Sequence, residues 1–171
     1  RIPTSGQLEI TFADGQKGDL WRADIYGAFR AQLAYSPQQP FLSNTKLRFN
    51  IDLGGQSPAD PLWQAARKAQ LEADLALLPH GLDQEVGETG IDLSGGQKQR
   101  VSLARAFIST RPLFILDDPL SAVDTATETA LMDELLSSAQ GLIMVSHRLS
   151  ELSRCDRVLV LDGGKIVEDG S

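Results

Sequence analysis

Apolar positions along the chain predict strands of two kinds. Polar and apolar residues alternate over residues 7–12, which predicts a half-buried strand, and residues 13–15 then predict a turn. Residues 113–116 and 142–145 are apolar throughout, a pattern typical of strands buried on both faces of a parallel sheet. Near the C-terminus, Gly163-Gly164 separates two short strand-like runs and predicts a hairpin. The runs of this hairpin are residues 157–161 and 165–168.

The sequence predicts four helices, three of them from apolar spacings of three and four residues. Residues 60–79 are rich in Ala and Leu and predict one amphipathic helix that ends at Pro79. A second helix begins after its N-cap Ser94, with an apolar stripe and solvated basic residues. Shorter helices are predicted over residues 24–32 and 126–137. In the helix that begins after Ser94, the apolar stripe is Val101, Ala104 and Ile108, and the basic residues are Lys98, Arg100 and Arg105. Because strands and helices alternate in the second half, the fold class is α/β with a helical insert.

Composition narrows the class of protein. The 171 residues are 42% hydrophobic and 23% charged, which suits one folded domain. The single cysteine, Cys155, excludes an intramolecular disulfide, and no Cys/His cluster predicts structural zinc. A net charge of −7 argues against nucleic acid as a partner. No apolar stretch approaches the roughly 18 residues of a membrane-spanning helix, so a membrane role would come through a partner.

Two aspartates follow a predicted buried strand directly. Ligands bind beyond the carboxyl ends of parallel strands, and Asp117 and Asp118 stand at that position. One carboxylate there can hold magnesium, while its neighbour orients or deprotonates a water that attacks a phosphate. An isolated Asp pair on the surface that caps the next turn is an equally good interpretation.

Three further segments are candidates for binding or catalysis. Residues 93–97 place Ser94 and two glycines at a helix start, where free N–H groups favour an anion and a phosphate can approach the backbone closely. Gln38 lies in a proline-flanked loop, and His147 follows the strand predicted over residues 142–145. Read alone, Gln38 is more often a solvated turn residue and His147 more often structural.

Taken together and in order, these segments resemble the nucleotide-binding domain of ATP-binding cassette (ABC) proteins. Residues 35–38 (YSPQ) resemble the Q-loop, 93–100 (LSGGQKQR) the signature motif, 113–117 (LFILD) the Walker B strand, 121–124 (SAVD) the D-loop and 146–148 (SHR) the switch histidine. The resemblance implies a partial P-loop NTPase (RecA-like) parallel sheet with an inserted helical subdomain. Residues 1–38 and 111–171 would then form the ATPase core, and residues 39–110 the helical subdomain with the signature motif.

The resemblance also implies ATP and Mg²⁺ as cofactors and a role for each matching residue. Asp117 would hold Mg²⁺, Gln38 would contact that ion or the attacking water, and His147 would hydrogen-bond the γ-phosphate. Asp118 stands where the family has its catalytic carboxylate. The residues that match nucleotide-binding positions are Ser94, Gly95, Gly96, Gln97 and Asp124, and the signature residues among them would act on a nucleotide held by a second copy.

Residues 87–93 and 117–124 look most like membrane exporters, particularly the multidrug-resistance-associated branch. The implied partners are a transmembrane domain, on the same or a separate chain, and a second nucleotide-binding domain in a homo- or heterodimer. The implied location is the cytoplasmic face of a membrane. Phe41, Leu42 and Trp63 are candidates for docking on the transmembrane domain, although Trp63 more often fills a core. The alternatives are a soluble ABC ATPase and a non-hydrolysing regulatory or interaction module with a degenerate site.

The sequence departs from the family in two respects. Asp118 stands where glutamate is usual, and the shorter side chain predicts a slow or degenerate site. The chain also contains no G-x-x-x-x-G-K-[ST] loop, whose N–H groups and lysine hold the β- and γ-phosphates. We therefore expect this polypeptide alone to bind ATP weakly, not to hydrolyse it, and to be poorly stable in isolation.

Overall fold

A parallel sheet of three strands organises the fold. The computed structural model describes residues 7–88 and 90–171. Residues 1–6 of the predicted ATPase core and Thr89 in segment 87–93 lie outside that range. In the sheet, β4 (Leu113–Asp117) lies between β3 (Leu33–Ser36) and β5 (Gly141–Val145). Both pairings are parallel, with Leu113 opposite Leu33 on one side and opposite Gly141 on the other. The predicted α/β class with a parallel sheet is confirmed.

The two apolar runs differ in burial. Phe114 and Leu116 of β4 are buried in the core, as predicted. In β5, however, Ile143 and Val145 are 54% and 58% exposed, so the prediction of a strand buried on both faces was wrong there. Among the described residues β5 pairs with β4 alone, which makes it an edge strand.

Helix α5 (Gly95–Ile108) joins the helical region to the sheet. It packs against α2 (Leu47–Ile51), α3 (Ala59–Lys68) and β3. Its residues Val101, Leu103 and Ala104 are fully or almost fully buried in a core shared with β4 and α6 (Thr125–Ser138). The remaining helices are α1 (Ala23–Ala31), α4 (Glu72–Leu77), α7 (Leu149–Leu152) and a 3₁₀ turn at Gly81–Asp83. No helix in the described part of the chain has the length and apolar character needed to cross a membrane.

The helix predicted over residues 60–79 is two helices. The chain leaves α3 after Lys68, turns at Gln70 with φ of 55°, and enters α4 at Glu72. Leu71 and Leu75 are buried, whereas Ala73 and Ala76 are exposed. The turn redirects the chain so that leucines, which bury more apolar area than alanines, face the core. Trp63, on α3, packs against that core and is half-buried, whereas Phe41 is exposed.

All three basic residues expected to be solvated on α5 make polar contacts, and Lys98 Nζ lies 3.0 Å from Asp92 Oδ1. Arg100 Nη2 lies 2.7 Å from Asp74 Oδ2, and its side chain is largely buried. Arg105 donates to the carbonyl oxygens of Phe41 and Asn50. The guanidinium groups of the two arginines pair with polar groups of the preceding segments, because α5 is covered on more than one side.

Two antiparallel hairpins complete the structure. The predicted C-terminal hairpin is present as β6 (Val158–Asp162) and β7 (Lys165–Gly170). Gly163 and Gly164 both have positive φ, as a tight two-residue turn requires. The first predicted strand is present as β1 (Glu9–Thr11), and it pairs with β2 (Lys17–Asp19), which the apolar pattern did not indicate.

Candidate functional site

The candidate site is built around Asp118, the first residue after β4. Its N–H donates to the carbonyl of Val145 at 2.8 Å, which holds the turn against the end of β5. Its φ is 48°, a left-handed conformation that Asp and Asn adopt more readily than most residues. The residue is 7% exposed. A carboxylate therefore sits buried at the carboxyl edge of the sheet.

Gln38 and His147 converge on this carboxylate. Gln38 Nε2 donates to Asp118 Oδ2 at 3.4 Å. His147 Nδ1 lies 3.3 Å from Asp118 Oδ1 without hydrogen-bond alignment, and Oδ1 has no hydrogen-bond partner among the described residues. The three residues follow β3, β4 and β5, and the carboxyl ends of parallel strands meet at one edge of a sheet. The structure thus brings together the three side chains that the sequence offered as catalytic candidates.

Asp117 and Asp118 offer oxygen donors for a cation. Asp117 ends β4, opposite Val145, and is half-buried. Within residues 7–88 and 90–171 no group of three or more His, Cys, Asp or Glu could hold a metal by itself. Mg²⁺ usually takes one or two carboxylates and completes its shell with water and phosphate oxygens. Asp117, Gln38 and the unpartnered Oδ1 of Asp118 fit that kind of site.

The start of α5 is built by a capping box. Ser94 Oγ accepts from Gln97 N at 3.2 Å, and Gln97 Oε1 accepts from Ser94 N at 2.9 Å, which confirms Ser94 as N-cap. Gln97 Nε2 donates to Asp74 Oδ1 at 2.8 Å. A Cβ on Gly96 would lie 2.5 Å from the carbonyl oxygen of Ala122, so glycine is required for this close approach. Within the described residues no hydrogen bond joins Ser94–Gln97 to Gln38, Asp118 or His147.

Residues 121–124, called the 121–124 loop below, connect the site to α6. Asp124 caps α6: its Oδ1 accepts from Ala126 N and Thr127 N, both at 3.1 Å. Its Oδ2 accepts from Thr127 Oγ1 at 2.6 Å. These hydrogen bonds, chiefly those from Thr127, hold the pKa of Asp124 below its ordinary value. In the chain alone, this predicted binding residue is an N-cap.

Two buried glutamates near the site were missed by the sequence reasoning. Glu128 accepts from Ser150 Oγ at 2.7 Å and from Arg148 Nη1 at 2.5 Å, and these partners lower its pKa. Glu151 is 0% exposed, and neither carboxylate oxygen is hydrogen-bonded within the described structure. Burial raises the pKa of Glu151, and the nearby carboxylates of Glu128 and Asp118 act in the same direction. Glu128 shares an apolar helix face with Leu131, Met132 and Leu135, a signal that could have identified it.

Comparison with known families gives one match over most of the chain. A family model described as ABC transporter matches residues 1–121.

Individual relatives agree with that match. The chain is 43% identical over 145 residues to a probable multidrug resistance ABC transporter ATP-binding/permease protein of Bacillus subtilis, covering 83% of this chain and 25% of that protein. It is 42% identical over 172 residues to a mycobactin import ATP-binding/permease protein of Mycolicibacterium smegmatis, covering 99% and 29%. A solved structure of a bacterial Atm1-family ABC exporter with ATP bound matches with a TM-score of 0.80 and 35% identity, covering 92% of this chain and 29% of that chain. The chain therefore spans less than a third of the length of these relatives.

Proposed function

The chain belongs to the ABC transporter family, with exporter-type relatives, and we propose that the edge of the sheet around Asp118 is where its complete protein hydrolyses ATP. The observation that carries the proposal is the convergence of Gln38 and His147 on one buried carboxylate. The reaction transfers the γ-phosphoryl group of ATP to water and yields ADP and inorganic phosphate.

Each of the three side chains has a distinct task in this proposal. Asp118 accepts a hydrogen bond from the attacking water and takes its proton as the bond to phosphorus forms. Gln38, which already donates to Asp118 Oδ2, orients that water and the carboxylate. His147 donates to the γ-phosphate oxygens, and its exposed position beside Asp118 leaves the ring accessible to a nucleotide.

Magnesium fits the oxygen donors at the carboxyl ends of β3 and β4. Asp117 and Gln38 would hold the ion. When bound, Mg²⁺ neutralises charge that develops on the phosphate oxygens. Because the chain has no G-x-x-x-x-G-K-[ST] loop, we further propose that this polypeptide alone binds ATP weakly and does not hydrolyse it.

The start of α5 serves a different nucleotide. Free N–H groups at the start of a 14-residue helix favour an anion, yet no described hydrogen bond links them to the Asp118 site. We therefore assign Ser94, Gly95, Gly96 and Gln97 to a nucleotide bound mainly by a second nucleotide-binding domain, identical or different. Asp124, at the end of the adjoining 121–124 loop, would lie at the same dimer interface.

A transmembrane domain is the second proposed partner, and the chain would act at the cytoplasmic face of the membrane. The Bacillus subtilis and Mycolicibacterium smegmatis relatives are both called ATP-binding/permease proteins, so the names of these two proteins include both an ATP-binding part and a membrane part. Those names differ in cargo and direction, multidrug resistance in one and mycobactin import in the other. We assign the ATP-driven motor to this chain and the choice of cargo to the transmembrane partner.

The test is ATP hydrolysis by the complete protein that contains this chain. Asp118→Asn keeps the size of the side chain and removes the charge, so we expect turnover to fall by about 10²-fold or more. Asp156→Asn is the matched control, since Asp156 is exposed and lies outside the site. Phosphate release with Mg²⁺ and ATP measures the rate.

Two results would contradict the proposal. Equal turnover in wild type and Asp118→Asn would remove Asp118 from the chemistry. ATP binding and nucleotide-dependent dimerisation without any hydrolysis would favour the non-hydrolysing module instead.

A further inference from the structure

Gln99 is a buried amide that bridges α5 and the site. We propose that Gln99 is a positioning residue for ATP hydrolysis, which holds the backbone of Asp118 and the 121–124 loop in register with the start of α5. The inference rests on the function proposed above. Gln99 does not belong to the set of residues that we expect to touch the nucleotide.

The side chain of Gln99 is fully engaged in this bridge. It is 6% exposed. Nε2 donates to the carbonyl oxygen of Asp118 at 3.3 Å and to Ser121 Oγ at 2.7 Å. Oε1 accepts from Ala122 N at 3.0 Å. Both N–H groups of the amide and its oxygen therefore form hydrogen bonds with one segment, residues 118–122.

These contacts act on a backbone conformation that needs support. Asp118 has φ of 48°, and such conformations persist where the surroundings hold them. Its N–H is held by Val145, and its carbonyl oxygen accepts from both Gln99 and Ser121 Oγ, the latter at 3.1 Å. The peptide groups on both sides of the Asp118 Cα are therefore fixed, and they set the direction of its carboxylate.

The same helix carries the residues assigned to the second nucleotide. Gln99 lies about one turn after Gly96, which approaches the carbonyl oxygen of Ala122 so closely that no Cβ fits. Farther along α5, Ser102 Oγ lies 2.8 Å from Ser36 Oγ, two residues before Gln38. A shift at the start of α5 would thus be passed to the Asp118 backbone through Gln99. This connection links occupancy of one nucleotide site to the geometry of the other.

The test uses two substitutions in the complete transporter. Gln99→Met has a similar length and makes none of the three hydrogen bonds. Gln99→Glu keeps an acceptor for Ala122 N–H but cannot donate to the Asp118 carbonyl. We expect each to lower kcat by about tenfold or more, because small displacements of a reacting group are costly. We expect KM for ATP to change less than twofold, because Gln99 does not contact the nucleotide.

Val101→Ala is the matched control. Val101 is buried on the same helix and makes no polar contact with the site, so its truncation lowers Tm through a cavity. Below the melting range its kcat should stay near that of wild type. If Gln99→Met does not accumulate, Ser121→Ala removes one of the two side-chain donors to the Asp118 carbonyl, and we expect a smaller loss of kcat, about threefold.

Three outcomes would overturn the inference. Gln99 and Ser121 variants with wild-type kcat would show that the bridge does not position Asp118. A loss of kcat no larger than that of Val101→Ala at equal Tm would make Gln99 a structural residue only. A raised KM with unchanged kcat would place Gln99 in nucleotide binding. All three outcomes require turnover that depends on Asp118. If turnover does not depend on Asp118, the proposed function and this inference are overturned together.

Discussion

Replacing Asp118 with glutamate should make the complete protein hydrolyse ATP faster. Glutamate adds one methylene and advances the carboxylate by about an ångström, the scale of misplacement that costs about 10²-fold in rate. Asp118 is well placed for the comparison, because Gln38 and His147 already face its two oxygens at 3.4 and 3.3 Å. We expect turnover to rise by up to about 10²-fold, which is about 2.7 kcal/mol of transition-state stabilisation.

The same substitution should lower stability. At φ of 48° aspartate is tolerated better than glutamate, and a left-handed conformation costs about 1 kcal/mol for a residue without local compensation. A loss of about 1 kcal/mol lowers Tm by about 2–4 °C in a domain of this size. A faster and less stable protein is therefore the expected combination.

The assay is phosphate release at saturating ATP and Mg²⁺, with thermal unfolding of the same samples. Asp118→Asn is the control, since it keeps the short side chain and removes the charge. Turnover that stays level or falls in Asp118→Glu, with folding intact, would refute the argument that side-chain length limits the rate. A rate gain with unchanged Tm would refute only the argument about backbone conformation.

Two further predictions concern stability and use urea denaturation. Gly96→Ala should destabilise the chain by more than about 1 kcal/mol, because its Cβ would lie 2.5 Å from the Ala122 carbonyl oxygen and a backbone atom must move. Gly95→Ala, whose Cβ would meet nothing nearer than 3.8 Å, should be neutral or stabilise α5 by about 0.5–1 kcal/mol, and equal effects at the two positions would contradict the geometry. Glu151→Gln should raise the free energy of unfolding at pH 7, because burial raises the pKa of Glu151 and the native state then disfavours its charged form. That gain should shrink as pH falls and be lost below the ordinary pKa of 4.5, where the carboxyl is protonated in both states. A gain that is the same at all pH values, or equally large in the exposed control Glu168→Gln, would contradict the assignment.

The part of the site at the strand ends could be predicted from the sequence. An apolar run that stops at two aspartates indicates both a central strand and polar groups at its carboxyl end. The position of Asp118 follows from that pattern. The pattern does not contain the burial of β5. Ile143 and Val145 lie on the same face of the sheet, and their exposure depends on what packs against that face. Nor does it contain the turn at Gln70, where no Pro or Gly interrupts an Ala- and Leu-rich segment.

The buried polar residues also differ in whether the sequence could have predicted their burial. Glu128 occupies an apolar helix face, so its burial and its need for a partner could have been read from the spacing. Gln99 stands among polar and basic neighbours on α5, and its burial arises only when the 121–124 loop folds over it. Gln99 bridges α5 and the 121–124 loop because of tertiary contacts, which no local sequence preference predicts.

The capping box at the start of α5 has a consequence for selectivity. Both ends of the Gln97 amide are occupied, Oε1 by Ser94 N–H and Nε2 by Asp74. An incoming anion would therefore meet main-chain N–H groups before any free side-chain amide. Main-chain donors recognise the charge and the shape of a phosphate, and they do not distinguish adenine from guanine. This surface would contribute affinity for a triphosphate and leave discrimination between bases to other parts of the protein.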